Sequence, residues 1–119
     1  MGTLSINARN LMVDAVGDVA LWVSAHTANP GETGTSEVTG GSPAYARKAI
    51  SHGASASGAA TMDSASPELD IPASTTVTHL GLFSASTAGT FYGYHDVTDE
   101  VFSSQGVYRV TDSDITASA

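Results

Sequence analysis

The sequence predicts a mainly β protein, an antiparallel β-sandwich or small jelly-roll-like barrel carrying one N-terminal α-helix. Three observations predict it. Short stretches with a period of two, the repeat of a half-buried strand, recur along the chain. Clusters of Gly, Pro, Asn and Ser, which favour turns, separate them. Charged residues are only 13% of the chain, and Ser, Thr, Gly and Ala take their place, a composition better suited to extended structure than to surface helices. At 119 residues, 1–119 is expected to form a single domain, with 3–16 as the helix and 17–119 as the sandwich.

In the helix, Leu4, Ala8, Leu11, Met12 and Ala15 follow the spacing of an amphipathic face. Thr3 is placed to cap its start, Gly17 to end it, and Arg9 and Asn10 are expected to point outward. A helix this short is not stable alone and must pack on the strands or on a neighbouring subunit.

The first strand alternates, with Val19, Leu21, Val23 and Ala25 on one side and Ala20, Trp22, Ser24 and His26 on the other. Asn29-Pro30-Gly31 stops it and opens a polar loop, which Gly40-Gly41 and Pro43 close. An extended run resumes at Tyr45. Gly53 to Ser66 is Ala/Ser/Gly with a thin strand expected at Ala59 to Met62, and Pro67 to Pro72 reads as an edge piece bracketed by prolines. Thr75 to Ser84 is the second strong strand, with Val77, His79, Gly81 and Phe83 expected on one face and Thr78, Leu80, Leu82 and Ser84 on the other. A hairpin turn over 84–89 leads to Thr90 to His95. Asp96 to Gly106 reads as an acidic connection around Val101 and Phe102. Gly106 to Thr116 reads as a last strand with Tyr108 and Val110 inward. No internal repeat emerges, so the chain carries no fibre shaft of its own.

Charge narrows the function classes. Twelve acidic and four basic residues give a net charge of −8, which disfavours nucleic acid and anionic membranes as partners. Cysteine is absent, and no apolar run approaches the roughly 20 residues that span a bilayer. No basic patch and apolar core mark a secretion signal, so synthesis as a soluble protein in a cytoplasm is expected.

Chemistry finds little purchase. His26, His52, His79 and His95 lack the close pairing of zinc sites; His79 and His95 are the two that a hairpin brings across from each other. Asp96, Asp99 and Glu100, and likewise Asp112 and Asp114, read as solvated loop charge, without the glycine and terminal glutamate of a calcium loop. No serine sits in a nucleophile elbow, and Gly40-Gly41 is not followed by Gly-Lys-Ser/Thr. No catalytic, cofactor or metal residues are expected, and the chain reads as non-enzymatic. Arg47 and Lys48 point to opposite faces of a strand. One is expected to pair with Glu32, Glu37 or Asp70 within the subunit and the other to reach an acidic neighbour or guard an edge. Trp22 and Tyr45 read as core or subunit-contact aromatics.

Three segments, ALWVSAHTANPG at 20–31, EVTGGSPAYARKAI at 37–50 and TVTHLGLFSASTAGTFYGY at 76–94, together resemble a family of small tailed-bacteriophage virion proteins. Its members are labelled tail fibre or minor tail proteins, and sometimes head proteins. The resemblance spans about residues 3–116, including the Ile71–Ala73 segment. Ser42-Pro43-Ala44 departs from it, since the family more often passes straight from Gly-Gly to Tyr-Ala-Arg, and the C-terminal tail is more acidic. The resemblance carries no catalytic residue and implies a structural role in the virion. A short acidic β-domain without a shaft suits clamping onto a shell, so a capsid decoration (cement) protein on the major capsid protein is the first expectation, with many copies reinforcing modest contacts. A tail-associated or receptor-binding fibre role, with tail proteins as partners, is the second. Leu4, Leu11, Met12, Pro30, Glu37, Arg47 and Lys48 are the expected protein contacts. Self-association is expected because thin strands bury little surface alone, with a trimer preferred.

Overall fold

A computed structural model describes residues 5–62, 66–111 and 113–116. Helix α1 spans Ile6–Gly17, starting later than expected; Ser5 caps it, its Oγ accepting from the Ala8 N–H at 3.2 Å. Thr3 and Leu4 lie outside the described residues. The helix turns inward the face opposite to the expected one. Val13 is buried, Arg9 and Asn10 are half-buried, and Leu11, Met12 and Ala15 face solvent. Polar anchoring explains the reversal. Asn10 Oδ1 accepts from the Gly58 N–H at 2.8 Å, and Asp14 Oδ1 accepts from the Ser55 N–H at 2.9 Å. A hydrophobic count cannot see such bonds.

Eight strands follow: β1 Leu21–His26, β2 Lys48–Ile50, β3 Ala59–Thr61, β4 Glu68–Ile71, β5 Thr75–Phe83, β6 Phe91–Phe102, β7 Gly106–Arg109 and β8 Asp114–Thr116. An antiparallel sheet runs β2-β1-β5-β6, and β4-β7 and β3-β8 form two-stranded ribbons. Among the described residues the sheets do not close into a barrel. One face of the large sheet contributes Leu21, Val23, Ala25, Ile50, Val77, Leu80 and Leu82 to the core. Against them come Leu69 and Ile71 of β4, with Val38, Phe102 and Val110. The prolines at 67 and 72 bracket β4, as the reading of an edge piece expects.

Four features differ from expectation. The pairing of β5 with β6 slips between Val77 and His79, so Val77 joins Leu80 and Leu82 in the core while His79 and Gly81 take the other face. Val77 and Leu80, three residues apart, both enter the core, which breaks the period of two on which the face assignment relied. Strand β6 does not stop at His95 but runs on through the acidic stretch, pairing Val101 with Thr76 and Phe102 with Thr75. The carboxylates there lie on exposed residues of an edge strand, where charge is tolerated. The run from Tyr45 is a strand only at Lys48–Ile50, and the last strand is divided into β7 and β8.

Candidate functional site

The polar loop after β1 is stitched to the sheet. Where β2 ends, residues 36–38 take its place beside β1: the Thr27 N–H donates to Ser36 O and the Val38 N–H to Ala25 O, each at 3.0 Å. Pro30 is buried, and its carbonyl accepts from the N–H groups of Gly34 at 3.1 Å and Thr35 at 3.0 Å. Gly34 has φ 78°, and a Cβ there would meet the Phe83 ring at 2.6 Å, so the tip needs glycine. At the far end Gln105 accepts from the Ser42 N–H at 3.2 Å and donates to Pro43 O at 3.3 Å. The Ser42-Pro43 segment that departs from the family pattern thus rests on the turn between β6 and β7.

Arg47 is the hub. Its Nε donates to Glu37 Oε2 at 2.8 Å and its Nη2 to Glu37 Oε1 at 2.9 Å, a two-pronged pair. Its Nη1 donates to the carbonyls of Ala85 at 3.0 Å and Ala88 at 2.8 Å in the β5–β6 turn. The guanidinium lies 3.4 Å from the centroid of the Phe83 ring. Tyr45 completes the set: its hydroxyl donates to Glu37 Oε2 at 2.8 Å and accepts from the Ala25 N–H at 3.0 Å. Burial alone would raise the Glu37 carboxyl, but the bonds from Arg47 and Tyr45 outweigh it and hold the group below its ordinary range. Burial pushes the Tyr45 phenol up, and the Glu37 carboxylate adds to the shift.

Beneath this hub His26 and Ser24 are fully buried. His26 Nδ1 lies 2.8 Å from Thr35 O and must donate to it, so Nε2 accepts from Ser24 Oγ at 2.7 Å. Burial holds the imidazole below its ordinary pKa. A Cβ on Gly81 would stand 2.7 Å from Ser24 Oγ and 2.8 Å from His26 Nε2, so glycine in mid-strand makes room for the pair. A hydroxyl–imidazole pair resembles an activated nucleophile, but this one is sealed beneath Phe83 and Phe91 and acts as a brace for the loop.

The other histidines are apart from one another. His79 faces Asp96 in register, not His95, because the pairing slips by one residue between Leu82 and Phe83; its Nε2 is 3.9 Å from Asp96 Oδ1. His52 lies 3.3 Å from Ser113 Oγ. Among the described residues no three His, Cys, Asp or Glu gather in a way that would hold a metal ion. Asp112 and the side chain of Asp114 lie outside the described residues. Two of the open clefts among the described residues bear on these groups. One of about 320 Å³ lies beside the Glu37–Arg47 hub, and one of about 490 Å³ is lined by Asp96, Asp99, Glu100 and Tyr108.

Of the expected contact residues, Pro30, Glu37 and Arg47 are engaged within the subunit. Leu11, Met12 and Lys48 are exposed, Leu11 by 73% and Met12 by 51%. The family described as podophage GP4 fiber I protein gp80 matches residues 8–118. The chain belongs to this family. Among curated proteins none matches it. Membership in the fiber I family makes the chain a structural protein of the phage virion, in line with the three segments that carry the resemblance. The family match takes in both the hub and the cleft. Sequence reasoning expected Arg47 or Lys48 to pair with Glu32, Glu37 or Asp70, and the structure pairs Arg47 with Glu37. It missed Ser24–His26 and the Arg47 contacts to Ala85 and Ala88, for which no residue spacing gives a signal. No helix among the described residues is long and apolar enough to cross a membrane.

Proposed function

We propose that this chain is a tail-fibre component of a podophage, a non-enzymatic subunit that joins other virion proteins and takes part in binding the host. The family match over residues 8–118 is the observation that carries this reading, because that family is described by a fibre protein. The polar groups of the hub are turned to loop bracing, which suits a rigid building block. The subunit self-associates, with a trimer preferred, through the outward stripe of α1 around Leu11 and Met12, and Lys48 adds a charge on the β2 edge. The capsid decoration reading has the lack of a shaft repeat in its favour, and the fibre reading places the shaft in a partner. Cryo-EM of virions carrying an epitope-tagged chain separates the two. Tag density at the tail is expected; density confined to the capsid lattice would reject the fibre role. Particles lacking the chain should assemble heads and fail to adsorb.

A further inference from the structure

We propose that His26 is a proton-operated latch: on taking up a second proton it releases the 30–35 tip of the polar loop and uncovers the Phe83 and Phe91 rings. The tip is a unit in itself. Pro30 O accepts from the N–H groups of Gly34 and Thr35 and, at 3.2 Å, from the Thr35 hydroxyl. Asn29 Oδ1 accepts from the Gly31 N–H at 2.8 Å. Among the described residues, one hydrogen bond ties the tip to the sheet, from His26 Nδ1 to Thr35 O. The rest of the attachment is the seating of Gly34 on Phe83 and Phe91. Residues 36–38 are held separately, by their bonds to β1 and by the Glu37–Arg47 pair. Ser36 joins the two parts at φ 62°, a left-handed conformation uncommon outside glycine, and is the hinge.

The neutral ring satisfies both its nitrogens, Nδ1 as donor and Nε2 as acceptor from Ser24. A second proton on Nε2 displaces the one that Ser24 donates, and Ser24 Oγ has no other partner among the described residues. The bond to Thr35 O favours the charged ring, but burial opposes it more strongly. Of the charged groups around the ring, Glu37 on the arm favours the second charge. Arg47, 3.4 Å over the Phe83 ring, and His79, opposite on β5, oppose it. Burial keeps Tyr45 neutral as it donates to Glu37, and Asp96 of β6 stands 3.9 Å from His79 Nε2. An imidazolium escapes its burial only by reaching water. The sheet cannot yield without breaking its ladder, whereas the tip lifts as a unit. Opening therefore takes up a proton below about pH 6.5 and grows up to about tenfold per pH unit, in a range above that in which Glu37 titrates. The latch is built into the fold and does not depend on the fibre role.

The test is an NMR titration of the full chain from about pH 7.5 to about 4.5, following the His26 ring, the Gly34 backbone and the methyls of Val23 and Leu82. While the tip is seated, ring currents from Phe83 and Phe91 displace the Gly34 signals. These signals should collapse to the position of an unstructured glycine in step with protonation of His26, while the Val23 and Leu82 methyls keep their native shifts. In His26→Gln the amide can donate to Thr35 O and accept from Ser24 without titrating, so Gly34 should stay displaced throughout. The wild-type titration decides even where that variant fails to fold. A His26 ring that titrates with Gly34 still displaced would mean that the closed site accepts the charge, and would overturn the proposal. So would Gly34 signals that never move, their collapse together with the methyls, which is unfolding of the whole chain, or the same collapse in a folded His26→Gln.

Discussion

Arg47 makes four hydrogen bonds inside the chain and leaves only 8% of its side chain exposed, so its removal strands both a carboxylate and two carbonyls. Arg47→Ala is expected to cost about 2–4 kcal/mol in urea unfolding, and Arg47→Lys about half of that, because lysine keeps the charge and loses the fork. A cost below the range of a single surface pair would show that the hub does not hold the loop. The same residues set a pH dependence. His26 has a folded pKa below its ordinary 6.5, so the unfolded chain takes up the proton first as pH falls. Its contribution is present above about pH 6.5 and declines below it; that of Glu37, held below its ordinary 4.5, declines below about pH 4.5. Stability measured against pH should fall in these two windows, and His26→Gln should abolish the upper one alone. That Arg47 or Lys48 would pair within the subunit was legible because four bases leave few choices, but the choice of Glu37 over Glu32 and Asp70 was not. The sealed imidazole was not, since a period of two places His26 on a face without saying what covers that face.

At the scale of elements, the helix shows where pattern reading stops. Its existence and a hydroxyl at its start were legible, but Gly17 is its last residue with Asp18 as the cap, and its orientation was decided by Asn10 and Asp14, which bind the backbone of Gly58 and Ser55. Polar residues drew one face inward, and the apolar stripe was left outside. Val13→Ala should therefore cost about 1–2 kcal/mol, while Leu11→Gln and Met12→Gln together should change stability by less than about 0.5 kcal/mol. If the outward stripe is the contact between sister subunits, the double glutamine variant should also shift the chain towards monomer in light scattering. A large stability loss in that variant would place the stripe inside the subunit instead. In β5 the failure has a different cause. Where the pairing with β6 slips, Val77 and Leu80 both enter the core although they are three residues apart, and the local residues carry no mark of it. The acidic half of β6 was hidden by composition, since Asp and Glu are depleted in strands and signal a connection.

The whole molecule measures 47 × 29 × 25 Å, and its burial is uneven along that length. The core cluster draws on β1, β2, β4, β5 and β6, with α1 reaching it only through the half-buried Val16. Around the helix, Val13 of α1 and Ala60 of β3 are the fully buried apolar residues among those described. That this chain is mainly β with a single helix at its start was legible from alternation and turn residues. That the helix forms a separate zone with the β3–β8 ribbon was not, because the Ala/Ser/Gly stretch has too little side-chain mass to reveal its partners. Cooperative units with little buried surface open at lower free energy than the global transition. Native-state hydrogen exchange should therefore divide the molecule: amides of β1 and β5 should exchange only through full unfolding, and those of α1 and β3 through a smaller opening with a weaker urea dependence. Exchange of α1 with the same free energy and urea slope as β5 would refute a separable helical zone. In a fibre assembled through the α1 stripe, the α1 amides should slow while those of β5 stay as they were, because the contact adds burial where the isolated subunit has least.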